Sequence, residues 1–108
     1  MPQLTDTFAA LGNATRFAIV ERLLKEGELP AGEFLRDQTI SPPAMSHHLK
    51  VLRKAGIVNQ RIDRQRRMYS VRPEAVRAVG AWTLNHRDFW MKSLDRLEAA
   101  LAGRGGGR

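Results

Sequence analysis

Apolar residues recur at helical spacing over most of the chain and give way to a strand-like pattern in one short stretch. Leu4, Phe8 and Leu11 follow one another at intervals of four and three, which predicts a helix over residues 3–11 that Gly12-Asn13 stops. Phe17, Val20, Leu23 and Leu24 predict a second helix over 14–26, with Asn13 placed to cap it and Gly27 to end it. Pro30 stands where proline is tolerated, ahead of a short third helix over 31–36. A fourth follows Ser41. After Gly56 the period changes: IVNQRID and RRMYSV are short, carry Ile, Val and Tyr, and flank the polar tip Asp63-Arg64-Gln65, so they read as a β-hairpin. Pro73 then opens the longest helix, over 74–102, and the closing GRGGGR is too glycine-rich to fold by itself. The expectation is a single mainly α domain with a small β-hairpin over residues 1–102, and a disordered tail over 103–108.

The fourth helix, 42–55, carries the most chemistry. The first N–H groups of a helix have no intrahelical acceptor, so Pro42 and Pro43 forfeit nothing there, and Ser41 can cap the N–H groups that follow. At about 100° per residue, Met45, Leu49 and Leu52 fall on one side, and Pro43, Ser46, His47, Lys50 and Lys54 on the other. His47 and His48 cannot share a face, whereas helical metal ligands pair at i, i+3 or i, i+4. His48 is expected at the core edge in a hydrogen-bonded structural role, and His47 toward solvent. A short helix, a tight connection over 37–40 and a second helix with basic and small polar residues outside is the pattern of a helix-turn-helix. The hairpin behind makes it a winged one. Ser41, Pro43, Ser46, His47, Lys50 and Lys54 are then the candidates for DNA contact from the recognition helix, with Ser46, His47 and Lys50 reaching base edges or phosphates. Arg64, Arg66 and Arg67 are those of the wing, near the minor groove or the backbone.

The charge supports that reading. The 108 residues carry a formal net charge of +7, and residues 41–72 hold eight Lys/Arg (Lys50, Arg53, Lys54, Arg61, Arg64, Arg66, Arg67, Arg72) against one acid, Asp63. The rest of the chain is balanced, so the excess sits in one contiguous third, as expected of a face that meets phosphate. This concentration argues against the alternative of a winged helix used for protein or RNA contact. With no glycine-rich phosphate loop, nucleophile motif or metal triad, an enzyme is not expected. The absence of cysteine rules out disulfides and thiolate metal sites. No apolar run approaches the roughly 20 residues that cross a bilayer, and the first residues lack the order of a secretory signal, so a cytoplasmic protein with no membrane partner is expected. A domain this small gains from a partner that covers apolar surface. Trp90, Leu94, Leu97 and Leu101 repeat at four, three and four, a seam suited to another helix, and Leu4, Phe8 and Leu11 join them as candidates for a homodimer interface. Trp82 and Phe89 could fill a core or line a ligand cavity.

FAALGNATRFAIVERLL, SPPAMSHHLKVLRKAGIV and RRMYSV together resemble the ArsR family of small bacterial winged-helix repressors, over nearly the whole chain from Phe8 to about Leu101. The resemblance implies a cytoplasmic homodimer that binds an imperfect palindrome in an operator and blocks transcription. Many such relatives release DNA when a metal binds, but LPAGEFL lacks the cysteine pair of the thiolate-type sensors. The last helix holds His86 with Asn85 and Asp88 and no second histidine downstream, unlike relatives that bind zinc there. HRDFWMKSLDRLEAAL is similar to a non-metal branch of the family. No metal and no other cofactor is therefore expected, any inducer being an unidentified small molecule or protein; a metal-responsive repressor with an unrecognised site is the remaining alternative. The wing also lacks the glycine common at its tip.

Overall fold

The computed structural model describes residues 3–36 and 39–106. The elements are α1 (Leu4–Leu11), α2 (Ala14–Glu26), β1 (Leu29–Pro30), a 3-10 helix η1 (Ala31–Leu35), α3 (Pro42–Lys54), β2 (Val58–Asp63), β3 (Arg66–Val71), α4 (Pro73–Asn85) and α5 (Arg87–Gly106). They form two compact units, Met1–Ala78 and Val79–Arg108, with α4 beginning in the first and ending in the second.

Local chemistry sets the helix ends. The Asp6 carboxylate accepts the Gln3 backbone N–H at 3.0 Å at the start of α1. Asn13 Oδ1 accepts the Arg16 N–H at 3.1 Å, and Gly27, at φ 83°, stops α2 in a conformation that side chains resist. Ser41 Oγ accepts the Ala44 N–H at 3.3 Å, with Pro42 and Pro43 in the first turn of α3. In the first unit α2 contributes Ile19, Val20 and Leu23 to the core, η1 Phe34, and α3 Met45, Leu49 and the fully buried Leu52; Ile57, Val58 and Tyr69 close it from the sheet side.

The structure departs from the sequence expectations in several places. Phe17 and Leu24, expected in the apolar stripe of α2, are 49% and 58% exposed. The buried face is centred on Ile19, Val20 and Leu23, and the other two lie roughly 100° round the helix from it. The third helix is a 3-10 helix, and residues 29–30 ahead of it form a strand. Leu29 pairs with Tyr69 and Pro30 with Met68, so the hairpin is part of a three-stranded antiparallel sheet of order β1-β3-β2. β2 and β3 pair from Val58↔Val71 to Asp63↔Arg66. The connection expected over 37–40 lies partly outside the described residues, at 37–38.

The single helix expected over 74–102 is two helices, broken at His86. The His86 imidazole donates from Nδ1 to the Trp82 carbonyl at 2.8 Å, the group a continuous helix would give to the His86 N–H. That N–H turns instead to the Thr83 carbonyl, a tighter i, i+3 bond. α5 also runs on to Gly106, past the expected end at 102; glycine lowers helix propensity without removing the backbone donors and acceptors. Residues 107–108 lie outside the described residues. In this second unit Trp82 is half-buried, its ring 4.9 Å from that of His86 and 6.2 Å from that of Trp90, while Phe89 is exposed.

Candidate nucleic-acid interface

Burial of Met45, Leu49 and Leu52 fixes which way α3 faces. Pro43, Ser46, His47, Lys50 and Lys54 are all exposed, and Ser41 is exposed at the cap. Pro43, His47, Lys50 and Lys54 are spaced by four, three and four, so they form one stripe, with Ser46 beside it. Lys54 closes the far end, where it lines a cleft with Asp6 and Ala9 of α1. His48 is half-buried, and its Nδ1 lies 3.2 Å from the Arg16 guanidinium. Burial first, then the nearby charges of Arg16 and His47, hold the His48 imidazole below its ordinary pKa of 6.5.

The wing carries Arg64, Arg66 and Arg67, all exposed. Its turn consists of Arg64 and Gln65. Among the described residues Arg64 is the one non-glycine residue with positive φ, at 62°, the φ pattern of a type II′ hairpin turn, where glycine is preferred. Arg66 lies 3.8 Å from Asp63, at the far limit of an ion pair. No ion pair among the described residues engages Lys50, Lys54, Arg64 or Arg67.

Other cations of the basic third are committed within the fold. Arg61 grips Glu28 through two hydrogen bonds of 2.6 and 2.7 Å, and this hydrogen bonding holds the Glu28 carboxyl below the usual carboxylate range. Arg72 lies 3.3 Å from Glu74. Arg53 donates to Gln60, which donates to the Tyr69 hydroxyl at 2.9 Å, so a polar chain ties the end of α3 to both strands of the wing. The excess of charge in residues 41–72 thus overstates the cations free to meet phosphate. Conversely, Arg36 was not a candidate, yet it shares a cleft with Arg66 and Arg67 between η1 and the wing. It is bonded to Glu33 at 2.9 Å, and that bond keeps Glu33 below the usual carboxylate range. The β1–β3 pairing sets the start of η1 beside the wing, and nothing in the spacing of a two-residue strand signals it.

Among the described residues no three His, Asp or Glu side chains gather where they could hold a metal ion. No described helix is long and apolar enough to cross a membrane.

An exposed basic helix following a short one, with an arginine-tipped hairpin behind it, defines a winged helix-turn-helix DNA-binding protein. Residues 11–61 match the model of a family described as a helix-turn-helix domain. The chain is 42% identical over 85 residues to the HTH-type transcriptional regulator Rv2034 of Mycobacterium tuberculosis, covering 79% of this chain and 76% of that one. It is 32% identical over 82 residues to the transcriptional repressor SdpR of Bacillus subtilis, covering 76% and 90%. The crystal structure of an ArsR family transcriptional regulator, RHA00566, superposes with a TM-score of 0.74 at 25% identity, over 82% of this chain and 96% of the other. The chain belongs to the ArsR family of winged helix-turn-helix transcriptional regulators.

Proposed function

We propose that the protein is a cytoplasmic homodimeric repressor that reads an imperfect palindromic operator, one half-site per subunit, without a metal as its signal. The observation that carries this reading is the exposed stripe of α3, with Ser46, His47 and Lys50 outward over a buried inner face of Met45, Leu49 and Leu52, accompanied by wing arginines Arg64 and Arg67 that no carboxylate among the described residues pairs with. Side chains of this kind suit base edges and phosphates in a major groove, and arginines suit the backbone or minor groove. Dimerisation is supported by α5, where Trp90, Leu94, Leu97 and Leu101 are 44–58% exposed along one seam, and by α1, where Phe8 is exposed and Leu4 and Leu11 are half-buried. An apolar seam left exposed along a helix usually marks an interface.

The test is selection of duplexes from a random pool, followed by titration of the recovered sequence over a range of salt. A recovered consensus with two inverted half-sites, bound far more tightly than random DNA and with a steep salt slope, is the expected result. Equal binding to selected and random duplexes would refute operator reading, and release by stoichiometric zinc would refute the metal-free signal.

A further inference from the structure

We propose that Arg16 is the positioning residue of DNA recognition: anchored on the end of α1, it holds α3 in its base-reading orientation through a neutral His48, and acid releases that hold. The proposal rests on the reading of α3 as the operator-contacting helix.

Arg16 sits where three helices meet. Its Nε donates to the Ala10 carbonyl in α1 at 2.7 Å, its backbone N–H is taken by Asn13 at the start of α2, and a terminal nitrogen lies 3.2 Å from His48 Nδ1 on α3. A guanidinium has donors only. Nδ1 must therefore offer its lone pair, so the imidazole is neutral and carries its proton on Nε2. His48 adjoins the exposed His47, with ring centroids 5.9 Å apart, and Leu49 of the core. A small rotation of α3 about its buried face would carry Ser46, His47 and Lys50 off their base edges, and the Arg16–His48 bond resists that rotation from the side.

Protonation of His48 sets an N–H against an N–H and a cation against a cation. The charged groups around the imidazole are Arg16 from α2 and His47 from its own helix. The cleft beside Arg16 adds Lys54 of α3 and Asp6 of α1, and the Asp6 carboxylate is engaged by the Gln3 N–H. Among the described residues no carboxylate pairs with His48 to receive its charge. Protonated His48 must part from Arg16, so the released arrangement takes up the proton, and falling pH favours it. Because burial and the two neighbouring charges depress the imidazole in the fold, the hold is complete above about 6.5 and is lost as pH falls through the lower, folded value.

The experiment uses the full chain and two labelled duplexes, one recovered by selection from a random pool and one of random sequence, from about pH 8 down to about pH 5.5. The readout is the ratio of the two affinities. In the wild type the ratio should fall roughly tenfold on acidification, about the discrimination of one displaced base contact. Arg16→Gln should show the lowered ratio at every pH with its affinity for random DNA unchanged. In His48→Asn the amide oxygen can take the place of Nδ1 without titrating, so this variant should keep the high ratio and flatten its pH dependence. His47 is present in all three proteins, so the difference between the wild-type and His48→Asn profiles belongs to His48. Should Arg16→Gln fail to fold, as circular dichroism would show, the His48→Asn profile decides alone. A His48→Asn variant that loses as much selectivity in acid as the wild type, or a folded Arg16→Gln with the wild-type ratio, overturns the proposal. A wild type with no preference for any selected duplex overturns the operator reading, and the proposal with it.

Discussion

Arg64 shows what a single residue trades at the wing tip. An L-residue at φ 62° gives up about 1 kcal/mol that glycine would not, yet a cation stands there with no partner among the described residues. Arg64→Gly should therefore raise stability by about 0.5–1 kcal/mol in denaturant titration while lowering the DNA salt slope by about one for each phosphate that is no longer neutralised. A variant that gains stability and keeps the full salt slope would show that Arg64 does not meet phosphate. Glu28 offers a pH signature. Arg61 depresses its carboxyl in the fold, so the stability it contributes is present above the ordinary value of 4.5 and is lost as pH falls through the lower, folded one. The stability gap between wild type and Glu28→Gln should be constant near neutrality, shrink below that value and close in stronger acid. A gap that persists in acid would assign the effect to packing.

Among the elements, α3 and the wing should fail differently when altered. Ser46→Ala or His47→Ala should cost about 1–3 kcal/mol on a selected operator with little change on random DNA, because the loss falls on base readout. Arg67→Ala should weaken both duplexes together and reduce the salt slope. Anisotropy titrations of the two DNAs distinguish these, and equal losses from His47→Ala on both would place His47 on phosphate. This contrast also marks how far the sequence could be read. The orientation of α3 was legible because Met45, Leu49 and Leu52 repeat at helical spacing and Ser41-Pro42-Pro43 mark a start, both local signals. β1 was not, because two residues that include a proline carry no periodicity, and their pairing with Met68 and Tyr69 is decided far along the chain. The break at His86 escaped for a similar reason: an imidazole competing for the Trp82 carbonyl leaves the apolar spacing on either side undisturbed. Phe17 and Leu24 satisfy a helical period as well as Val20 and Leu23 do, and only the packing partners decide which arc is buried.

For the molecule as a whole, the apolar seam of α5 carries the dimer reading. Leu94→Glu together with Leu97→Glu would bury unpaired carboxylates in a helix–helix contact, a heavy cost for each. Sedimentation should then show a monomer, and affinity for a two-half-site duplex should fall steeply because the second half-site is no longer bound intramolecularly. A double variant that stays dimeric would move the interface elsewhere. The sheet has a different consequence for assembly. One of its edges is a strand of two residues, of which Pro30 has no N–H to offer, and the other is β2, charged at Arg61 and Asp63. Neither edge invites a further strand, so edge-to-edge growth of the sheet into ribbons is disfavoured. Pro30→Val would restore a donor to the short edge, and light scattering during slow heating should then rise earlier than in the wild type.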